Sequence, residues 1–237
     1  QVQASVNSIS SNIFSAVRPQ IVKNYASKSY LKMKVLVFQS TKLAYYLLLL
    51  FCVPLILETE YLLSLWLNEL PNYLIIFSKL VILNILIDVP FAPMVSAIQA
   101  TGRIRTQQMV ISSLTLMNLP FSFTALFIGY EPYFIFIVSI AISLLSYPFQ
   151  FYIFQRETEI LYLEFIKNVV VNISIVSFLI IVVPFSLKYI FNLDSFSFII
   201  NIVAVFIYSP LIIWRFGLDK IEKLKIIKYT KKYLKVL

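Results

Sequence analysis

Histidine is absent from this chain, cysteine occurs once, at Cys52, and glycine only three times in 237 residues. With no imidazole and a single thiol, intrachain disulfides, zinc sites of the usual ligand sets and histidine-based acid/base or triad chemistry are all excluded. Charge is scarce as well: Asp, Glu, Lys and Arg make up 13% of the residues, about half of what a water-soluble domain carries. The three glycines, Gly102, Gly129 and Gly217, stand near the ends of apolar stretches and form no GxxxG face, so close helix packing falls to Ala and Ser. What fills the chain instead is apolar surface, 60% of residues with a mean hydropathy of +0.87.

That surface is arranged in long runs at 35–57, 74–100, 109–128, 132–154, 168–187 and 196–214, each about 20 residues and so able to cross a hydrocarbon core as a helix. Residues 1–17 read as the end of an earlier helix. The expected fold is therefore an all-α, polytopic transmembrane bundle of six full spans plus a remnant. One membrane transporter domain covers 1–237: the remnant and a basic loop in 1–34, four core spans in 35–154, two further spans in 155–214 and a basic tail in 215–237. The chain opens at Gln1 on an amphipathic stretch without a charged region followed by a short apolar one, which predicts no signal peptide and an N-terminus that is a cut.

The basic residues orient the spans, because Lys and Arg gather on the cytoplasmic side of alternate connections. Arg18, Lys23, Lys28, Lys32 and Lys34 precede the first full span; Arg103 and Arg105, then Arg156 and Lys167, occupy later connections on the same side. Arg215, Lys220, Lys223, Lys225, Lys228, Lys231, Lys232 and Lys235 fill the tail. Of the 20 Lys and Arg, this leaves Lys188 on the other side and Lys42 and Lys79 inside spans. The remnant helix and the C-terminus are thus both expected in the cytoplasm of a multi-pass inner-membrane protein. A net charge of +9 suits nucleic acid, but basic residues that alternate with apolar spans answer to membrane topology, so no nucleic-acid partner is expected. The segment 58–71 mixes Tyr61, Leu62, Leu63, Leu65, Trp66 and Leu67 with acids and predicts a short interfacial helix. The tail suits anionic headgroups.

Polar residues inside the spans are the candidate site. Asp88 lies roughly 20 Å along its helix from either end, too deep for a short side chain to reach the headgroups. It should face a wet cavity, pair with a cation or be protonated, and Asn84 lies one turn away on the same face. Lys42 either snorkels or lines a pore, while Lys79 lies near the outer end of its span and is expected to snorkel. Gln39 and Asn118 are polar candidates on two further helices. Prolines Pro54, Pro90, Pro93, Pro120, Pro148, Pro184 and Pro210 within spans predict bent helices. The pairs Glu58 with Glu60 and Glu157 with Glu159 read as solvated loop charges without a catalytic framework. Asn172-Ile-Ser174 matches a glycosylation sequon inside a span, where no transferase reaches it. No catalytic residue, metal or cofactor is expected, and the chain is read as a non-enzyme.

Three stretches carry a family likeness: Val17-Arg18-Pro19-Gln20-Ile21-Val22-Lys23-Asn24-Tyr25-Ala26 closing the first helix, Leu65-Trp66-Leu67 leading to Pro71, and Gln99-Ala100-Thr101-Gly102-Arg103-Ile104-Arg105 ending the span at 74–100. Together they resemble the C-terminal half of the Wzx-like oligosaccharide flippases of the MOP superfamily, over the chain to about residue 155 and by topology alone in the last two spans. The resemblance implies two helical bundles around a central cavity, alternating access by rocking of the halves, and a polyprenyl-diphosphate-linked glycan as cargo. It further implies cations in the cavity to hold the diphosphate, and a missing N-terminal half as partner within the bilayer. The sequence departs from the family pattern at Arg18, where a neutral residue such as Asn is frequent, and at Asn68-Glu69, where Gly is usual. Two other readings remain: a cation-coupled multidrug exporter of the same superfamily, which Asp88 suits, and a membrane polysaccharide polymerase or glycosyltransferase, which normally needs a larger polar loop than any here.

Overall fold

A computed structural model describes residues 2–65, 67–191, 197–220, 222–224 and 226–228, with backbone alone in 2–5, at 9, in 187–191 and in 197–201. Trp66 of the family-like Leu65-Trp66-Leu67 stretch, and Lys225, Lys231, Lys232 and Lys235 of the tail, lie outside the described residues. All described secondary structure is helical: α1 (Val2–Ala26), α2 (Tyr30–Leu57), α3 (Thr59–Ser64), α4 (Leu74–Asp88), α5 (Ala92–Ala100), α6 (Ile104–Leu116), α7 (Asn118–Ile128), α8 (Phe134–Thr158), α9 (Tyr162–Phe165), α10 (Val171–Phe191) and α11 (Ser197–Ile212). A 3-10 turn, Val89–Phe91, joins α4 to α5, and π-helical turns, Ile166–Val170 and Ile213–Gly217, precede α10 and follow α11.

Combined across these junctions, five helices are long and apolar enough to cross a membrane: Tyr30–Leu57, Leu74–Ala100, Ile104–Ile128, Phe134–Thr158 and Tyr162–Ser186. The chain is thus an all-α, polytopic membrane bundle. The sixth expected span, 196–214, corresponds to α11 and its π turn, whose described apolar part, Ile202–Gly217, is shorter than the others. The expected basic loop over 18–34 is instead almost wholly helical, with only Ser27, Lys28 and Ser29 between α1 and α2. Lys and Arg are good helix formers, so a helix that leaves the apolar region continues through them. The short helix expected in 58–71 is α3.

Helix α2 is the hub, packed against α1, α4, α5, α10 and α11, and its buried residues Met33, Val37, Ala44, Leu48, Leu49 and Cys52 form the centre of the core. Helix α8 carries the other side, packed on α4, α5, α6 and α7. Large apolar side chains on α6 to α8, among them Leu116, Leu119, Phe123, Phe127 and Tyr152, are exposed, the arrangement of helices whose solvent is lipid rather than water.

Ion pairs and hydrogen bonds confirm which helix ends share a side. Lys34 pairs with Glu164, and Arg103 Nη1 lies 3.8 Å from Glu157 Oε2, so the starts of α2, α6 and α9 and the end of α8 meet at the basic side. At the other side Tyr73, ahead of α4, donates its hydroxyl to Glu131, ahead of α8. The nearby carboxylate holds the exposed Tyr73 phenol above its ordinary pKa.

Proline shapes α4 and α5 most visibly. Pro90 and Pro93 lack the N–H groups that an unbroken helix needs at those positions, and the chain tightens into the 3-10 turn centred on Pro90. Pro54, Pro148, Pro184 and Pro210 sit inside continuous α-helices. The break between α6 and α7 falls at Met117, three residues before Pro120.

Candidate functional site

Helix α4 builds the site because two successive turns of it present different chemistry on two sides. Asn84 and Asp88 share one face, as their spacing of four dictates, and line a polar cavity of about 480 Å³. Helix α1 contributes Asn7, Ser10 and Ser11 to it and α8 contributes Ser139. Asn84 Nδ2 donates to Ser139 Oγ at 3.2 Å, and the Ser143 hydroxyl, which stands close to Asp88, lies 3.4 Å from Asn84 Oδ1. No Lys or Arg among the described residues pairs with Asp88. Among the described residues, Asp88 is the one charged residue that lines this cavity.

The opposite side of α4 opens on an apolar groove of about 320 Å³ between α2, α8 and α10. Leu83, Leu86 and Ile87 come from α4, Pro90 and Phe91 from the 3-10 turn, Leu49 and Val53 from α2, Tyr147 and Phe151 from α8, and Ile173 and Ile181 from α10. Among the described residues no charged side chain lines it. One helix therefore separates a space suited to a polar or ionic group from a space suited to hydrocarbon.

Lys42 belongs to neither cavity, and the two expectations for it, snorkelling and pore lining, are both corrected. Its side chain is 2% exposed and its Nζ lies 2.9 Å from Asp219 Oδ2 and 2.8 Å from Glu222 Oε2. The start of α2 at Tyr30 places Lys42 twelve residues in, roughly 18 Å along the helix, and the chain after α11 folds back to meet it. Glu222 Oε2 also accepts the Asp219 backbone N–H at 2.8 Å. This is one half of a capping box, with Asp219 ahead of the helical residues 222–224. Tyr46, one turn beyond Lys42, donates to Asn172 and reaches Gly217 O at 3.3 Å, while Asn172 Nδ2 donates to Phe216 O at 3.0 Å. Asn172, whose sequon carries no meaning at this depth, thus joins α10 to α2 and to the end of α11.

The other candidates are dispersed. Arg18 is exposed on α1, Gln39 is half-buried on α2, and Lys79 is half-buried five residues after the start of α4. Asn118 accepts the Ser122 hydroxyl at 2.8 Å within α7. None of the four lines either cavity. The cations that a diphosphate would need are thus not brought to these walls among the described residues. Two of the four loop glutamates are also not solvated: Glu58 is 4% exposed at the α2–α3 junction, and the Glu157 side chain is 5% exposed. Helix α8 runs past its apolar stretch to include Glu157, and Glu58 caps α2 where α3 begins, so both carboxylates sit in packed helix ends. Among the described residues no group of three or more His, Cys, Asp or Glu could hold a metal ion.

No family model, curated protein or solved structure matches this chain.

Proposed function

We propose that this protein is a Wzx-like flippase that moves polyprenyl-diphosphate-linked oligosaccharide repeat units from the cytoplasmic to the periplasmic leaflet of a bacterial inner membrane, for O-antigen or capsule assembly. The observation that supports it is the pair of unlike cavities on the two sides of α4. A lipid-linked glycan is itself two unlike bodies, a hydrocarbon chain and a polar head, and needs such a pair. The apolar groove suits the chain. The polar cavity suits hydroxyl-rich or ionic cargo, but its carboxylate repels a diphosphate in a poorly screened space. Asp88 then serves as a coupling site for a proton or a metal cation, and the diphosphate draws its cations from outside these walls.

Deleting the gene in its host tests this reading: repeat units should accumulate on the cytoplasmic leaflet, surface glycan should fall, and the intact gene should restore it. Unchanged surface glycan would refute the reading. The same unpaired carboxylate favours a second one, cation-coupled export of organic cations; in that case the deletion raises sensitivity to cationic dyes and leaves the glycan untouched.

A further inference from the structure

We infer that Tyr147 is a positioning residue that ties the apolar groove to the polar cavity through the 3-10 turn, so that a lipid chain in the groove is registered at Asp88. This rests on the reading above of the groove as a site for a lipid chain.

The backbone explains why a side chain is needed at this point. Ile87 stands at the end of α4, just ahead of the 3-10 turn Val89–Phe91, where the chain changes to bonds three residues on; three residues on from Ile87 is Pro90, which has no N–H to offer its carbonyl. Tyr147 supplies the missing donor, its hydroxyl 2.6 Å from Ile87 O. Its ring stacks on Phe91 with centroids 3.9 Å apart and planes 19° from parallel. One residue of α8 thus holds both ends of the turn.

Consecutive residues of the turn face different spaces. Ile87, Pro90 and Phe91 line the groove together with Tyr147, while Asp88 and Val89 line the polar cavity. A chain that enters the groove meets the Tyr147 ring directly. If the ring shifts, the Ile87 carbonyl loses its donor in apolar surroundings, which is costly. Pro90 and Pro93 deny the turn an α-helical alternative, because the carbonyls of Leu86 and Val89 would then face residues without an N–H. The turn therefore follows the Tyr147 hydroxyl, and Asp88, the residue next to Ile87, moves with it.

The test uses the full-length protein in nanodiscs, with Cys52→Ser and with Val89→Cys as reporter on the polar side. The rate of its reaction with a small water-soluble thiol reagent is measured with and without farnesol as the chain-bearing probe. Farnesol should change the parent rate. Tyr147→Phe keeps the ring and removes the hydroxyl; it should shift the probe-free rate by about five-fold, the weight of one net hydrogen bond on a local opening equilibrium, and blunt the farnesol response. Tyr152→Phe, on the exposed side of α8, should do neither. If Tyr147→Phe does not elute as folded protein, Phe91→Leu, which removes the stacking and keeps the hydroxyl, should blunt the farnesol response instead. Equal rates and equal responses in parent and Tyr147→Phe overturn the inference, and so does a parent indifferent to farnesol. Glycan export is measured separately, so a protein that answers farnesol yet exports no glycan sinks the flippase reading and leaves Tyr147 its role.

Discussion

Lys42→Ala removes one ammonium and leaves two carboxylates facing a buried site, and their exposures decide the size of the effect. The Asp219 side chain is 65% exposed, so water screens its half of the interaction, and an exposed pair of this kind contributes about 1 kcal/mol or less. Glu222 is 8% exposed and lies 2.8 Å from the ammonium. It bears the loss, because an uncompensated buried charge costs about 3 to 5 kcal/mol when its partner is deleted. Glu222→Gln should cost less than Lys42→Ala, since the amide still accepts the Asp219 N–H and the ammonium keeps Asp219. The pair Lys42→Met with Glu222→Gln should recover much of the stability, because an apolar replacement of a buried ion pair is often close to neutral. Reversible unfolding in mixed detergent micelles, followed by fluorescence across the double-mutant cycle, measures this. A coupling of about 2 kcal/mol or more is expected for residues in direct contact. Strict additivity of the two single substitutions, or a Lys42→Ala protein as stable as the parent, would show that the ion pair does not form.

Asp88→Asn preserves shape and hydrogen bonding while removing the charge, so it should slow glycan export without lowering protein level, and the defect should vary with an imposed pH or sodium gradient; normal export across those gradients refutes a coupling role. Gly217→Ala sets a Cβ 2.9 Å from Tyr46 Cε2, on a ring that is held at its hydroxyl, and this overpacking should lower the unfolding midpoint at a cost of about 1 to 3 kcal/mol. With Cys52 replaced, a cysteine at Lys28 should resist a membrane-impermeant thiol reagent in spheroplasts and one at Glu60 should react; the reverse pattern would invert the orientation that the basic residues give.

Hydropathy made the spans legible because a membrane helix must hide every backbone group within one continuous apolar run. It misplaced the ends, since hydropathy falls at the first lysine while the helix continues; α1 runs through Arg18 and Lys23 to Ala26, and α2 begins at Tyr30. Asp88 and Asn84 were legible together because a spacing of four fixes a shared face whatever packs against it. Their cavity partners Ser10, Ser11 and Ser139 were not, since serines are common in membrane helices and only the docking of α1 and α8 distinguishes these three. The Lys42 arrangement was hidden for another reason. Its partners lie 177 and 180 residues away, beyond any periodicity.

The fold treats its in-span charges in different ways, and the difference separates structure from function. Lys42 is neutralised where it stands by groups of the same chain, so its charge is spent on joining the tail to α2 and is not free to bind a transported group. Lys79 stands half-buried five residues after the start of α4 and lines neither cavity. Asp88 differs from both: it stands at the last turn of α4, before the 3-10 turn, and no described cation faces it. A charge at such depth costs at least about 2.5 kcal/mol when nothing offsets it. The Ser143 hydroxyl offsets part of this, and the rest falls to water, a bound proton or a cation that comes and goes, each of which the polar walls of the cavity admit. A carboxylate whose partner is mobile changes its energy when that partner leaves. That change is what a transporter needs in order to couple an ion gradient to the motion of its helices.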